Sequence, residues 1–129
     1  MTKRILAFAL AAVLALFALV SCGGEGEAKT YTFSTGGPTG TYYGFTTAVA
    51  GILTDKVDGA KFTAVTSGGS KANIEAIADG DAQFAIVQND VMLNAYNGVN
   101  NFEGNKITDF AVVGTVYPEV CQIIASKEV

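Results

Sequence analysis

The stretch that decides the fold is KFTAVTSGGSKANIEAIADGDAQFAIV, residues 61–87. Its first six residues alternate and are rich in β-branched and aromatic types, which predicts a strand, and a glycine-rich break at 67–70 follows. A helix is predicted next by apolar residues at helical spacing, namely Ile74, Ile77 and Ala78. Gly80 stands where a helix needs a left-handed C-terminal residue, and residues 82–87 form a short apolar run typical of a buried parallel strand.

The same alternation of strand and helix continues on both sides of this unit. Upstream, residues 31–34 predict a strand, and a helix is predicted by the apolar positions Tyr42, Phe45, Val49, Ile52 and Leu53. Downstream, residues 88–90 can cap a third helix that carries Val91, Leu93, Ala95 and Tyr96 and is ended by Gly98. Two more strands are predicted over residues 110–117 and 120–125. This order favours an α/β fold with a mainly parallel sheet flanked by helices.

Composition excludes several functional classes. The chain of 129 residues has no His, 2 Cys and a formal net charge of −4. Without His there is no Ser-His-Asp or Cys-His catalytic arrangement, and two Cys cannot build a structural metal site. The acidic balance argues against a nucleic-acid surface, which needs clustered Lys and Arg. We therefore expect no enzymatic activity, no metal, no cofactor and no nucleic-acid partner.

The N-terminal residues have the layout of an export signal. Lys3 and Arg4 precede an unbroken apolar run over residues 5–20, which is shorter than the ~20 residues that span a bilayer. A hydrophobic residue three positions before Cys22 and a small one just before it resemble the bacterial lipobox. The resemblance implies diacylglyceryl attachment at Cys22 and cleavage before it. An uncleaved membrane helix and an ordinary secretory signal with an incidental Cys are the alternatives.

These observations divide the chain into three predicted parts. Residues 1–21 are the lipoprotein signal peptide, residues 22–29 a flexible polar tether, and residues 30–129 the folded domain. Within that domain, Cys121 lies in an apolar run, which predicts a buried, unreactive thiol.

Three polar or glycine-rich segments are predicted at the carboxyl ends of strands, where open α/β sheets bind ligands. They are STGGPTGT at 34–41, SGGS at 67–70 and QND at 88–90. Glycine lets the backbone approach a ligand, and a helix start offers unpaired N–H groups with a partial positive charge. The loops therefore suit an anion such as a carboxylate, and plain turn geometry is the alternative. The first loop lacks both the P-loop Lys and the dinucleotide-site glycine spacing.

Several single residues in or beside these loops have two interpretations. Ser70 can cap the second helix, and Asp90 is either a helix cap or a ligand contact. Of Tyr42 and Tyr43, one can pack in the core while its neighbour faces the cleft. Tyr117 lies at the carboxyl end of a predicted strand, a position that often lines a cleft, but the following Pro also marks a turn.

The sequence at these positions resembles the TAXI family, the solute-binding proteins of TRAP transporters. The resemblance rests on STGGPTGTYYGF at 34–45, TSGGSKANIEAIADGDAQFAIVQNDV at 66–91 and VYPE at 116–119. It implies a periplasmic-binding-protein-like fold of type II, of which this chain supplies the first lobe; from its length we infer a truncated sequence that lacks the second lobe. The resemblance also implies an extracytoplasmic receptor that captures a small organic anion, glutamate, glutamine or a dicarboxylate-like solute, for a TRAP membrane permease, and the predicted lipid on Cys22 would anchor this receptor to the membrane.

By motif position, the resemblance carries ligand contact onto Gly40, Thr41, Tyr43, Ser67, Ser70 and Gln88, and more weakly onto Asp90 and Tyr117. Pro38 departs from the glycine-rich pattern of that loop and removes one donor N–H. Two rival functions stay open at this point. One is a surface-exposed adhesive or immunogenic lipoprotein that keeps the fold without transport, and the other is an enzyme on an α/β scaffold.

Overall fold

A computed structural model describes residues 27–128. The predicted signal peptide, Cys22 and most of the predicted tether lie outside the described residues. The elements in chain order are the strand β1 (Lys29–Ser34), the helix α1 (Thr41–Lys56), β2 (Ala60–Val65), α2 (Ser70–Ala78), β3 (Phe84–Ala85), α3 (Asn89–Asn97) and a short 3₁₀ helix (Asn100–Phe102). The first six follow the predicted alternation of strand and helix.

The three strands form one parallel sheet in the order β2-β1-β3. β1 pairs with β2 along its whole length, from Lys29 opposite Ala60 to Ser34 opposite Val65. β3 pairs with the end of β1, where Phe84 lies opposite Phe33. The two connections cross the sheet in opposite directions, and because such crossovers are right-handed they place α1 and α2 on opposite faces. All three strands thus end at one edge of the sheet, with a helix beginning after each.

The hydrophobic core lies between α2, α3 and the segment after α3. Its buried members are Ile74, Ala95, Phe102 and Ile107, and Phe102 is only 1% exposed. Partly buried apolar residues pack against this cluster, namely Val87, Val91, Met92 and Phe110. The helical spacing accounts for this packing only in part. Val91 and Ala95 of α3 face the core as predicted, whereas Leu93 and Tyr96 are 58% and 52% exposed.

A second apolar layer consists of aromatic side chains on one face of the sheet. Tyr31 stacks on Phe62 with ring centroids 5.1 Å apart, and Phe33 stacks on Phe84 at 4.8 Å. The parallel register explains the layer, since residues opposite each other on neighbouring strands point to the same face.

Two helix ends follow the sequence prediction. Gly98 follows α3 in the left-handed conformation, with φ of 69°, and Gly80 follows the last residues of α2 with φ of 80°. The boundaries of two strands differ from the predicted ones. β1 begins at Lys29, and β3 covers only two of the six residues predicted for it.

The two strands predicted over residues 110–117 and 120–125 are wrong. Within the described residues no strand follows β3, and this segment runs as irregular chain. Many of its apolar side chains are exposed, with Val113 at 88%, Ile123 at 95% and Ile124 at 90%. β-branched residues form a strand only where a neighbouring strand offers backbone hydrogen bonds and a surface to pack on, and no described strand pairs with this segment. For the same reason Cys121 is exposed, which corrects the prediction of a buried thiol.

A search of the described helices for a bilayer-crossing segment found none of sufficient length and apolar character.

Replacing Gly98 with Ala tests the turn that closes the core after α3. A Cβ at this position would lie 3.0 Å from the Cβ of Lys106, and the positive φ disfavours any side chain. We expect Gly98→Ala to lower the free energy of unfolding by about 2 kcal/mol. The control is Gly51→Ala in α1, where a Cβ meets nothing within 4 Å. This substitution should raise the free energy of unfolding by about 1 kcal/mol. Chemical denaturation of both variants measures the difference, and equal destabilisation would contradict the role of Gly98.

Candidate functional site

The side chain of Asn73 organises the edge where the three strands end. It is fully buried, although asparagine is usually exposed. Its Nδ2 group donates to the carbonyl oxygens of Thr35 at 2.5 Å and Ile86 at 2.7 Å. Its Oδ1 atom accepts from the hydroxyls of Ser34 at 2.7 Å and Ser67 at 2.5 Å. One amide therefore uses both donors and both acceptor sites to join the residues that follow β1, β2 and β3.

Further hydrogen bonds join the loops after β1 and β2. The N–H of Ser67 donates to the carbonyl oxygen of Gly36 at 3.1 Å. The carbonyl oxygen of Val65 accepts from both the N–H and the hydroxyl of Thr35, at 3.2 and 2.6 Å. The first two of the three predicted ligand loops are thus in direct contact.

The loop after β3 is joined to the start of α2. The hydroxyl oxygen of Ser70 accepts from the N–H of Gln88 at 3.0 Å. Ser70 is the first residue of α2 and the residue before it, Gly69, is the N-cap with φ of 92°. The prediction that Ser70 caps this helix is therefore wrong, because its hydroxyl is used to hold the third loop.

The starts of α1 and α2 share one property. Gly40 is the N-cap of α1 and Gly69 the N-cap of α2, and neither helix has a side-chain cap hydrogen bond within the described residues. Gly40 does close a tight turn, with its N–H donating to the carbonyl oxygen of Gly37 at 2.9 Å. The first N–H groups of a helix have no intrahelical acceptor, and a side-chain oxygen at the N-cap is what usually satisfies one of them. At the start of α2 the N–H of Gly69 donates to the hydroxyl oxygen of Ser67 at 3.0 Å. The N–H groups that follow each N-cap have no side-chain cap acceptor among the described residues.

At the start of α3 the N-cap residue makes no side-chain cap hydrogen bond in the described part of the chain. Within the predicted capping residues 88–90, Oδ1 of Asn89 accepts from the N–H of Asp90 at 3.0 Å. Gln88 is the N-cap residue, and its side chain is used elsewhere. Asp90 is exposed in the first turn of α3, where its negative charge lies near the positive end of the helix dipole.

Tyr42 connects the starts of α1 and α2. Its hydroxyl lies near the side chains of Ser70 and Glu119. Burial and the nearby Glu119 raise the pKa of Tyr42 to about 12, although Ser70 opposes the rise. α1 and α2 lie on opposite faces of the sheet, but both begin at the edge where the strands end. The proximity of Tyr42 to Ser70 places the two helix starts side by side at that edge.

The segment after residue 115 returns to the same edge. Tyr117 lies against Tyr42, with ring centroids 6.3 Å apart, and edge-on to Phe45 at 6.2 Å. The Nε2 group of Gln88 donates to the carboxylate of Glu119 at 2.5 Å. Residues from four separate parts of the chain therefore meet here.

The residues predicted as ligand contacts fall into two groups. Described contacts join Ser67, Ser70, Gln88 and Tyr117 to this edge. Gly40 and Thr41 are exposed at the start of α1. Tyr43 is half-buried, and Asp90 is exposed. No described side-chain contact joins either of them to the others. Whether any of the eight touches a ligand stays a prediction.

Sequence reasoning assigned no role at this edge to Asn73 and Glu119, and it left open whether Tyr42 or Tyr43 faces the cleft. Asn73 lies three residues after Ser70 and Glu119 belongs to the VYPE motif, so both were in view. The signal that could have identified Asn73 is its place in the first turn of a helix on an otherwise apolar face.

Among the described residues there is no group of three or more potential metal ligands.

The sheet and its helices have the architecture of a partial periplasmic-binding-protein-like lobe, with the loops at one edge as its candidate site. Residues 33–129 match the model of the NMT1-like family, and the chain therefore belongs to that family, which is periplasmic-binding-protein-like. Family membership indicates an extracytoplasmic solute-binding role and a small ligand. Proteins of this kind are typically not enzymes.

Replacing Asn73 with Ala tests the central hydrogen-bond network. The change leaves two buried carbonyl oxygens and two hydroxyls without their partner, and each such loss costs roughly 1–3 kcal/mol. We expect the free energy of unfolding of Asn73→Ala to fall by about 3 kcal/mol or more. Asn97→Ala, at an exposed position in α3, is the control and should change stability by less than about 0.5 kcal/mol. Similar denaturation midpoints for the two variants would rule out this role.

The raised pKa of Tyr42 predicts a loss of stability at high pH. The folded protein favours the neutral phenol, so this contribution is intact below the ordinary pKa of 10.0 and is lost as the pH rises toward about 12. Titration of the phenolate absorbance should show a late component, to which Tyr117 also contributes because its pKa is raised as well. Tyr42→Phe should reduce this component without abolishing it, whereas Tyr96→Phe, which alters an exposed ring, should leave it unchanged. A late component of equal size in both variants would contradict the assignment.

Proposed function

We propose that this chain is the first lobe of the extracytoplasmic solute receptor of a TAXI-type TRAP transport system. It captures a small carboxylate solute, such as glutamate or a dicarboxylate, and presents it to a membrane permease. The observation that carries this proposal is the meeting of two uncapped helix starts, those of α1 and α2, at one edge of the sheet.

The chemistry of these helix starts suits a carboxylate. Each offers N–H donors and a partial positive charge of about half an elementary charge. A carboxylate has two oxygens and about four acceptor sites, which donors from two directions can satisfy without an Arg. The exposed hydroxyl of Thr41 adds a donor at the start of α1. Glycine at both N-caps brings no side-chain oxygen of its own, although the hydroxyl oxygen of Ser67 accepts from the N–H of Gly69.

The hydroxyl groups near the site favour binding over catalysis. Ser34 and Ser67 both donate to Asn73, so their hydroxyls hold the loops together. The side chain of Lys71 pairs with Glu75, one turn along α2. A nucleophile needs an adjacent general base, and these contacts leave neither serine with one in the described part of the chain.

The N-terminal segment fits an extracytoplasmic receptor. In this proposal residues 1–21 direct export, Cys22 carries the lipid anchor, residues 22–29 form the tether and residues 30–129 form the first lobe. Stable anchoring needs more than one acyl chain, which lipoprotein processing supplies. A second lobe closing over the site would bury the solute against the starts of α1 and α2.

Thermal shift assays with purified protein test the proposal. L-glutamate, L-glutamine, succinate and citrate are the probes, and a bound solute should raise the melting temperature with concentration. A surface lipoprotein without a transport role predicts a flat response to all of them, and that result would contradict the proposal.

A charge placed at the start of α1 tests the site itself. Thr41→Glu should weaken binding of the carboxylate probe at least tenfold, because like charges repel, while the acidic residue favours the helix start and preserves stability. Ala48→Glu makes the same charge change at an exposed position in the middle of α1 and should bind as the unmodified protein does. Equal affinities for the two variants would exclude the start of α1 from the site.

A further inference from the structure

Three aromatic rings form a corner beside the candidate site, which we call the aromatic corner. Tyr42 and Phe45 come from the first turns of α1, and Tyr117 comes from the segment that returns to the edge. The ring of Tyr117 is inclined by 58° to that of Tyr42 and by 72° to that of Phe45. The rings are therefore not stacked face to face, and ring faces carry the negative part of the aromatic quadrupole.

The carboxylate of Glu119 lies next to this corner, and none of the described cations pairs with it. It accepts a hydrogen bond from the amide of Gln88, and the hydroxyl of Tyr42 lies nearby, so its described neighbours here are neutral. The ion pair found within residues 27–128 is that of Lys71 and Glu75, and it does not involve Glu119. Glu119 is also exposed, so its carboxylate is accessible from the loop edge.

The hydroxyl of Tyr117 is a second polar group at the corner that lacks a described partner. Its oxygen is buried and has no hydrogen-bond partner among the described residues. Burial and the nearby charge of Glu119 raise the pKa of Tyr117, so its phenol stays neutral. A buried polar atom without a partner is rare in proteins, and a ligand group that supplies the missing partner is one explanation.

We propose that Glu119 and the aromatic corner form a subsite for a positively charged nitrogen, so that the solute is a carboxylate that also carries a protonated amine. The inference rests on the proposed function, since it concerns the same solute. A carboxylate, ring faces and a phenol oxygen all attract an ammonium group. The same groups would repel the second charge of a dicarboxylate. A zwitterionic solute satisfies both halves of the edge, with its carboxylate at the helix starts and its amine at Glu119.

The first test compares pairs of solutes that differ only in the amine. The pairs are L-glutamate with glutarate and L-aspartate with succinate, and their dissociation constants are measured by calorimetry with the purified protein. We expect at least one amino acid to bind ten or more times as tightly as its amine-free partner. If an amine-free acid binds as tightly as its partner or more so, the inference fails and the proposed function stands. If no member of either pair binds, both fail.

The second test uses the ratio of the two dissociation constants in a pair. Glu119→Gln should reduce this ratio at least tenfold by weakening the amino acid alone, because it keeps the side-chain shape and removes the charge. Tyr117→Phe keeps the ring and removes the unpartnered hydroxyl, so it should reduce the ratio by a smaller factor. Glu103→Gln, at another exposed carboxylate, should leave the ratio unchanged.

A merely structural role for Glu119 has a different signature. Such a role would weaken both members of a pair by the same factor and leave the ratio as it is. That outcome for Glu119→Gln would overturn the inference, even if overall affinity fell. Should Glu119→Gln fail to fold, Tyr117→Phe decides the question by the same ratio, and an unchanged ratio there overturns the inference.

Discussion

The candidate site depends on one buried amide. Asn73 makes four hydrogen bonds and thereby fixes the residues that follow β1, β2 and β3 relative to one another. Loops at the end of a sheet ordinarily move more than the strands they leave. Here two loop hydroxyls and two loop carbonyl oxygens share one partner that is fully buried. A shift of any loop would break a bond that water cannot replace, so the three loops are held as a unit.

The hydrogen bonds of Asn73 matter for function because the starts of α1 and α2 beside it lack stabilising side-chain caps. A Ser, Thr, Asp or Asn at an N-cap stabilises a helix by about a few tenths of a kcal/mol relative to Gly, and Gly40 and Gly69 provide no side-chain oxygen. Ser70 is close enough to contribute, but its hydroxyl holds the loop after β3. The sequence thus leaves donors open at the positions where capping would be easiest. Loops held by a buried network allow those donors to stay aligned without a cap.

Local patterns predicted most of the fold, and the errors came where tertiary context decides. Alternation and helical spacing identified the elements up to α3, because those signals depend on neighbours along the chain. The same β-branched pattern at 110–125 gave two wrong strands, since pairing depends on a distant partner. The importance of Asn73 was likewise hidden, because an asparagine in a helix shows its burial only when the strands around it are placed. Of the predicted site residues, Ser67, Ser70 and Gln88 reach the edge through tertiary hydrogen bonds, and Tyr117 reaches it through ring contacts.

The charge of the protein bears on what such a site can hold. A net charge of −4 does not steer anions toward the surface from a distance. At physiological salt this long-range term fades beyond about 8 Å, so the helix starts act only at contact. Glu119 acts over the same short range, but its carboxylate attracts positively charged groups. A solute that is neutral overall but carries separated charges meets little opposition on approach, and it matches the donors and the carboxylate once it arrives. An acidic surface, uncapped helix starts and a carboxylate without a described cation therefore suit an acid that also carries an amine better than the same acid without one.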